Sequence, residues 1–149
     1  MPSPTQASPY SSVGISGDTQ IDSLVYGTKW GGAVGTGTSL SYSFITSSSR
    51  FASNYSYDNE YLASFTLTSG QQSATIAALA EWSAVANISF SKVTETSSQV
   101  GTMRFGGYRN MDQDYAAWAY LPGSTPSAGD VWLSPTTGSS PKPGQFDYH

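Results

Sequence analysis

Several residue types that support common kinds of protein chemistry are absent or rare in this sequence. There is no cysteine, which excludes disulfide bonds, thiolate metal sites and cysteine nucleophiles. There is a single histidine, His149, whereas a catalytic zinc site needs several protein ligands and a serine triad needs a histidine anchored inside the fold. Taken alone, the residues assign no catalytic residue and no metal ligand to this chain.

Charge and long apolar runs are also scarce. Charged residues make up 11% of the sequence, the net charge is -4, and the six lysines and arginines are scattered singly. Because no basic stripe is available to bind phosphates, nucleic acid and anionic membranes are disfavoured as partners. No run of about 18 apolar residues occurs. The N-terminal MPSPTQASPY lacks the basic and apolar regions of a signal peptide, so any export is expected to use a signal that this chain does not show.

Composition divides the chain into two parts. Residues 1–19 are rich in proline, serine and glycine and are predicted to form a disordered tail, since they offer little apolar surface to offset the entropy of ordering. Residues 20–149 are predicted to form one domain, because the whole chain of 149 residues has the length of a single domain.

One helix is predicted over Ser69–Asn87. Ser69 is the expected N-cap, with Gln72 at the spacing of a capping box. Apolar residues then recur every three or four positions and predict a stripe that packs on a sheet, formed by Ile76, Leu79, Trp82 and Val85 or Ala86.

Strands are predicted on both sides of this helix. Leu40–Phe44 alternates apolar residues with serine, and Ile88–Val93 alternates directly after the helix, so the two strands are expected to be parallel. Three further short strands are predicted at Thr102–Phe105, Ala116–Leu121 and Asp130–Ser134. The segment from Arg50 to Leu67 is predicted to be a long loop with at most a short strand.

Aromatic residues are the one enrichment, at 13% of the sequence. For Trp82 a core position is favoured, because it lies on the apolar stripe of the helix. Trp118 and Tyr120 alternate with alanines and share one face of their strand, so either the core or an exposed binding surface remains open. Asp112 and Asp114 have the spacing of a calcium loop but lack its other ligands, which favours a solvated loop.

Five stretches resemble, in order and at about the same spacing, the serralysin-like zinc metalloendopeptidases of the metzincin group. They are GDTQIDSLVYGTKWG from Gly17, GTMRFGGYRN from Gly101, AAWAYLPG from Ala116, SAGDVWLS from Ser127 and the closing GQFDYH. The resemblance implies an α/β (α+β) fold, namely a twisted, mostly parallel five-stranded sheet with one antiparallel edge strand and one covering helix.

The resemblance also implies which parts of such an enzyme this chain lacks. In the family, a loop like GQFDYH leads into a helix whose His-Glu-x-x-His-x-x-Gly-x-x-His motif supplies three zinc ligands and the general base. That motif, the Met-turn and the C-terminal calcium-binding repeats do not occur here, so residues 20–149 are expected to be an incomplete catalytic domain. Zinc and calcium are therefore cofactors of the complete enzyme, and none is expected in this chain alone.

The part that the resemblance does cover is the substrate side. It implies that Trp118, Ala119, Tyr120 and Leu121 form the edge strand that binds a polypeptide substrate in a secreted enzyme. A C-terminal portion, on the same chain or on a separate one, is expected to complete that enzyme. Two alternatives stay open: a stand-alone carbohydrate- or peptide-binding module that uses exposed tryptophan and tyrosine, and an inert surface or structural domain.

Overall fold

We describe residues 2–139 of the protein from a computed structural model. The closing GQFDYH and His149 lie outside these residues. The elements in chain order are β1 (Tyr10–Ser12), α1 (Thr19–Asp22), β2 (Thr28–Trp30), β3 (Thr38–Phe44), a 3-10 helix (Glu60–Ala63), β4 (Ser64–Phe65), α2 (Ser69–Val85), β5 (Ile88–Lys92), β6 (Met103–Tyr108), β7 (Ala117–Ala119) and β8 (Val131–Leu133).

The main sheet has the strand order β5-β3-β6-β8-β7. Neighbouring strands are parallel from β5 to β8, whereas β7 is antiparallel to β8 at the edge. The two-residue β4 adds an antiparallel pairing at the end of β6. These pairings confirm the expected mixed α/β fold with a mostly parallel sheet, and they place β7 on its border. Within the described residues, no helix is long and apolar enough to cross a membrane.

Alternate residues of each strand point to opposite faces of the sheet, and each face is covered by a different part of the chain. On one face, α2 packs on a cluster that includes Tyr42, Phe44, Leu79 and Phe105. On the other face, a loop and the 3-10 helix, together residues 46–63 and here called the covering segment, pack over a second cluster. Its buried members are Ile45, Tyr55, Met111 and Trp132.

The helix departs from its sequence prediction at both ends. Its N-cap is Thr68 instead of Ser69, and the capping box pairs Thr68 with Gln71 instead of Gln72. Thr68 takes this place because its backbone is extended and its hydroxyl accepts a hydrogen bond from the Gln71 amide at 3.2 Å. The helix then ends at Val85, two residues before the predicted end.

Trp82 is exposed, at 63% of its surface, so the prediction of a core position was wrong. Of the predicted apolar stripe, Leu79 is buried, while Ile76 and Val85 are exposed with Trp82. The helix leads directly into β5, which is an edge strand of the sheet. No further strand among the described residues lies beyond β5 to cover the last turns of α2.

Part of the N-terminal segment forms a small second sheet. β1 pairs antiparallel with β2, Val13 N donates to Gly27 O at 2.8 Å, and Val100 N donates to Pro2 O at 3.0 Å. Backbone pairing, which composition does not reveal, thus holds these residues against the rest of the protein.

A substitution at Gly101 tests the close packing between β3 and the residues that precede β6. An added Cβ would lie 2.5 Å from Ser43 N and 2.7 Å from Met103 O, both backbone atoms that cannot turn aside. We expect Gly101→Ala to lower the free energy of unfolding by about 3 kcal/mol, measured by urea denaturation. Gly14→Ala is the matched control, because no atom lies within 4 Å of its added Cβ. Equal stability of the two variants would contradict the packing described here.

Candidate functional site

The edge strand β7 has one side of its backbone bonded to β8. The register pairs Ala117 with Leu133, Trp118 with Trp132 and Ala119 with Val131. The ladder continues on both sides, since Tyr120 N donates to Asp130 O at 2.9 Å and Ser134 N donates to Ala116 O at 2.8 Å. At one end Gly129 and Asp130 both bond Tyr120, which is the two-against-one pattern of a β-bulge.

This register fixes where the other main-chain groups of β7 point. In an antiparallel ladder, residues whose backbone groups bond the neighbouring strand alternate with residues whose groups face away. Because residues 116 and 120 bond β8, the N–H and C=O groups of Ala117 and Ala119 face the outer edge of the sheet. Among residues 2–139, no strand pairs with that outer edge.

The four residues predicted as a substrate site are placed differently from one another. Ala119 is exposed and turns its backbone to the outer edge, and Leu121 lies just past the strand with 50% of its surface exposed. Trp118 and Tyr120 are half-buried. They share one face of the strand, as the alternation predicted, and both donate a hydrogen bond to the same carboxylate oxygen. Their polar atoms are thus engaged inside the protein.

That carboxylate belongs to Glu60, which sequence reasoning missed. The side chain is fully buried, and its Oε1 accepts from Trp118 Nε1 at 3.2 Å and from Tyr120 Oη at 2.5 Å. Its Oε2 accepts from the Ser56 hydroxyl. Burial, together with the hydrogen bond to Glu60, raises the pKa of Tyr120 well above its ordinary value. In YDNEYLA this glutamate is indistinguishable from a solvated loop charge, so no local pattern marks it as buried.

A second buried polar cluster surrounds Arg104 in β6. Its Nε and Nη2 donate to the two carboxylate oxygens of Glu95, each at 2.8 Å, and Nη2 also donates to Arg50 O at 3.0 Å. The guanidinium lies 4.1 Å from the ring centre of Phe51. Its Nη1 lies 3.8 Å from Asp130 Oδ2. The cluster thus joins β6 to the covering segment and to the start of β8.

Asp130 has an unusual protonation equilibrium within this cluster. It is buried, accepts a hydrogen bond from Tyr55 Oη at 2.5 Å, and has Arg104 beside it. Burial raises the pKa of Asp130 to about 8, because Arg104 is already paired with Glu95 and only partly offsets the loss of solvation. Desolvation and the neighbouring Asp130 also raise the pKa of Tyr55.

A perturbed pKa often marks an active site, but access argues against that role for Asp130. The cavity that Asp130 and Arg104 line has a volume of about 10 Å³. This is room for one water molecule and not for a substrate. The cluster is therefore structural.

The described residues do not offer a zinc site. Over residues 2–139 no group of three or more histidine, cysteine, aspartate or glutamate side chains is placed to hold a metal ion. Asp112 and Asp114 form a local turn instead, with Asp114 N donating to Asp112 Oδ1 at 3.0 Å.

Comparison with known proteins finds a partial similarity to a metallopeptidase. The chain is 37% identical over 86 residues to Metallopeptidase AprA of Pseudomonas marginalis. The match includes 57% of this chain and 17% of that protein, so the chain corresponds to about a sixth of its relative. No protein-family model matches the sequence. The chain is a partial homologue of a metallopeptidase.

The raised pKa of the Asp130 carboxyl predicts how the stability of the protein depends on pH. Its pKa is about 8 in the folded protein and near 3.8 in the unfolded chain, so the folded state binds the proton more tightly. The stability from this group is complete below about pH 4 and is lost as the pH rises towards about 8. We expect wild type to lose about 3 kcal/mol of unfolding free energy relative to Asp130→Asn between pH 5 and pH 7, measured by urea denaturation. Parallel pH profiles of the two proteins would contradict the raised pKa.

Proposed function

We propose that this chain is the substrate-binding, N-terminal part of the catalytic domain of a serralysin-like zinc metalloendopeptidase. In this proposal an extended polypeptide adds to the outer edge of β7 as a further strand. The observation that carries the proposal is the antiparallel edge strand whose Ala117 and Ala119 backbone groups face outwards.

The chemistry of this edge supports peptide binding by main-chain pairing. Ala117 and Ala119 are exposed and have small side chains, so an approaching backbone meets little steric obstruction. Natural proteins often protect an open edge with charged residues or proline, and β7 carries neither. Pairing through the main chain depends little on the side chains of the partner, which suits an enzyme that accepts many sequences.

The fold and the relative support the same family. A parallel sheet that ends in one antiparallel edge strand is what the resemblance implies, and the 37% identity is to a metallopeptidase. We infer that the complete protein hydrolyses peptide bonds in proteins and is secreted, with polypeptides as its partners.

In this proposal, zinc is bound by residues that do not belong to this chain. The residues from 2 to 139 do not fit a zinc site, and the sequence holds one histidine. We propose that the zinc ligands and the general base come from a C-terminal portion, and that this chain binds substrate but does not cleave it alone.

Replacement of Ala119 by proline tests the edge strand. Proline removes the outward N–H and places its ring where a paired backbone would lie, yet it breaks no bond to β8. We expect Ala119→Pro to weaken the binding of oxidised insulin B chain, used as an extended probe, about tenfold, measured by fluorescence anisotropy of the labelled probe.

Ala119→Ser is the matched control, because it keeps the amide and adds only a hydroxyl. It should bind the probe within about twofold of wild type. If Ala119→Pro is folded and binds as wild type does, the probe does not pair with this edge.

Metal content and activity test the assignment of catalysis to a missing portion. The purified chain is expected to contain no equimolar zinc by elemental analysis and to leave casein intact, because a single histidine cannot complete a zinc site. Equimolar zinc together with proteolysis that a chelator abolishes would show that the chain builds its own active site.

A further inference from the structure

β7 is a short strand with support from one neighbour. Its three residues pair with β8 on one side only. Short edge strands of this kind fray easily, because few backbone bonds hold them. What keeps β7 in place must therefore include its side chains.

Glu60 supplies that support from the face of the sheet that the covering segment packs over. It is the first residue of the 3-10 helix and is fully buried. Trp118 and Tyr120, the two half-buried side chains of this stretch, both donate to its Oε1. The 3-10 helix is itself held to the sheet, since Arg109 N donates to Ala63 O at 2.9 Å. The carboxylate therefore links β7 to the body of the protein.

We propose that Glu60 is a positioning residue, which orients the outer edge of β7 for an extended polypeptide. The inference rests on the proposed function and deepens it. Trp118 and Tyr120 are two residues apart, so two anchors on one carboxylate oxygen restrict rotation of the strand about its own axis. The amide of Ala119, which lies between these anchors, is thereby held in the plane of the sheet.

The two acceptor oxygens and the geometry of Glu60 suit this role. A carboxylate accepts several hydrogen bonds, and those to a charged acceptor are stronger than neutral ones. Here one oxygen receives the indole N–H and the phenol, while the other receives the Ser56 hydroxyl. Glutamine keeps one acceptor oxygen for the two aromatic donors and turns its amide to Ser56, whereas leucine keeps the volume and removes every acceptor.

The test compares Glu60→Leu with Glu60→Gln in binding oxidised insulin B chain. We expect Glu60→Leu to weaken binding about tenfold and Glu60→Gln to stay within about threefold of wild type. Affinities are measured well below the unfolding transition of each variant. Gly101→Ala is the control for lost stability alone, because it destabilises the fold away from β7 and is expected to bind normally when folded.

A second measurement tests the hydrogen bond between Tyr120 and Glu60 through the ionisation of the Tyr120 hydroxyl. In wild type, alkaline absorbance titration should show a raised pKa for Tyr120 in addition to that of Tyr55. The Tyr120 contribution should be absent in Tyr120→Phe, and Glu60→Leu should lower the pKa of Tyr120 towards its ordinary value because the hydrogen bond to Glu60 is lost. Should Glu60→Leu not fold, Tyr120→Phe and Trp118→Phe replace it, each with a smaller loss of affinity than is expected for Glu60→Leu.

The outcomes separate the two proposals. If wild type does not bind the probe, the proposed function fails, and the role of Glu60 in binding polypeptide fails with it. If wild type binds and folded Glu60→Leu binds equally well, only the positioning role is overturned. The same holds if Tyr120 titrates identically in Glu60→Leu and in wild type, since Glu60 would then not anchor β7.

Discussion

The described structure depends on one buried cation, the Arg104 guanidinium. An arginine keeps its proton, so burial with 2% of the side chain exposed requires partners at fixed places. Glu95 supplies two hydrogen bonds, Arg50 O a third and the Phe51 ring a packing surface. Removing one partner of a buried pair costs about 3 to 5 kcal/mol, because the remaining charge is left uncompensated. The segment that follows β5, the covering segment and the start of β8 are thereby fixed to β6.

The covering segment carries this constraint to the edge of the sheet. Arg104 holds its first half through Arg50 and Phe51, and Tyr55 holds its middle through Asp130 and the Trp132 indole, which donates to Tyr55 Oη at 3.1 Å. Its last part then brings Glu60 beneath Trp118 and Tyr120. The position of β7 therefore depends on contacts made at β6, two strands away in the sheet, and the outward-facing backbone of Ala119 is the last part of that series.

Local patterns in the sequence predicted the elements, whereas contacts between distant residues decided the site. Alternation in Leu40–Phe44 and around Trp118 predicted strands and their faces correctly, because a period of two is a property of neighbouring residues. Arg104 pairs with Glu95 nine positions away, but Glu60 bonds residues 58 and 60 positions away, and no spacing rule covers such pairs. The exposure of Trp82 could not be predicted from its position on the apolar stripe, because the stripe does not show which of its residues contact the sheet.

An edge strand that binds a polypeptide must be rigid and also leave its backbone unpaired. These demands conflict, because pairing is what usually makes a strand rigid. β7 meets both by separating them in space: the aromatic side chains bond Glu60 on one face, and the alanines leave the outer backbone accessible. Alanine side chains offer a partner little to recognise. Under the proposed function, this edge therefore contributes affinity and direction, and sequence preference arises from other residues.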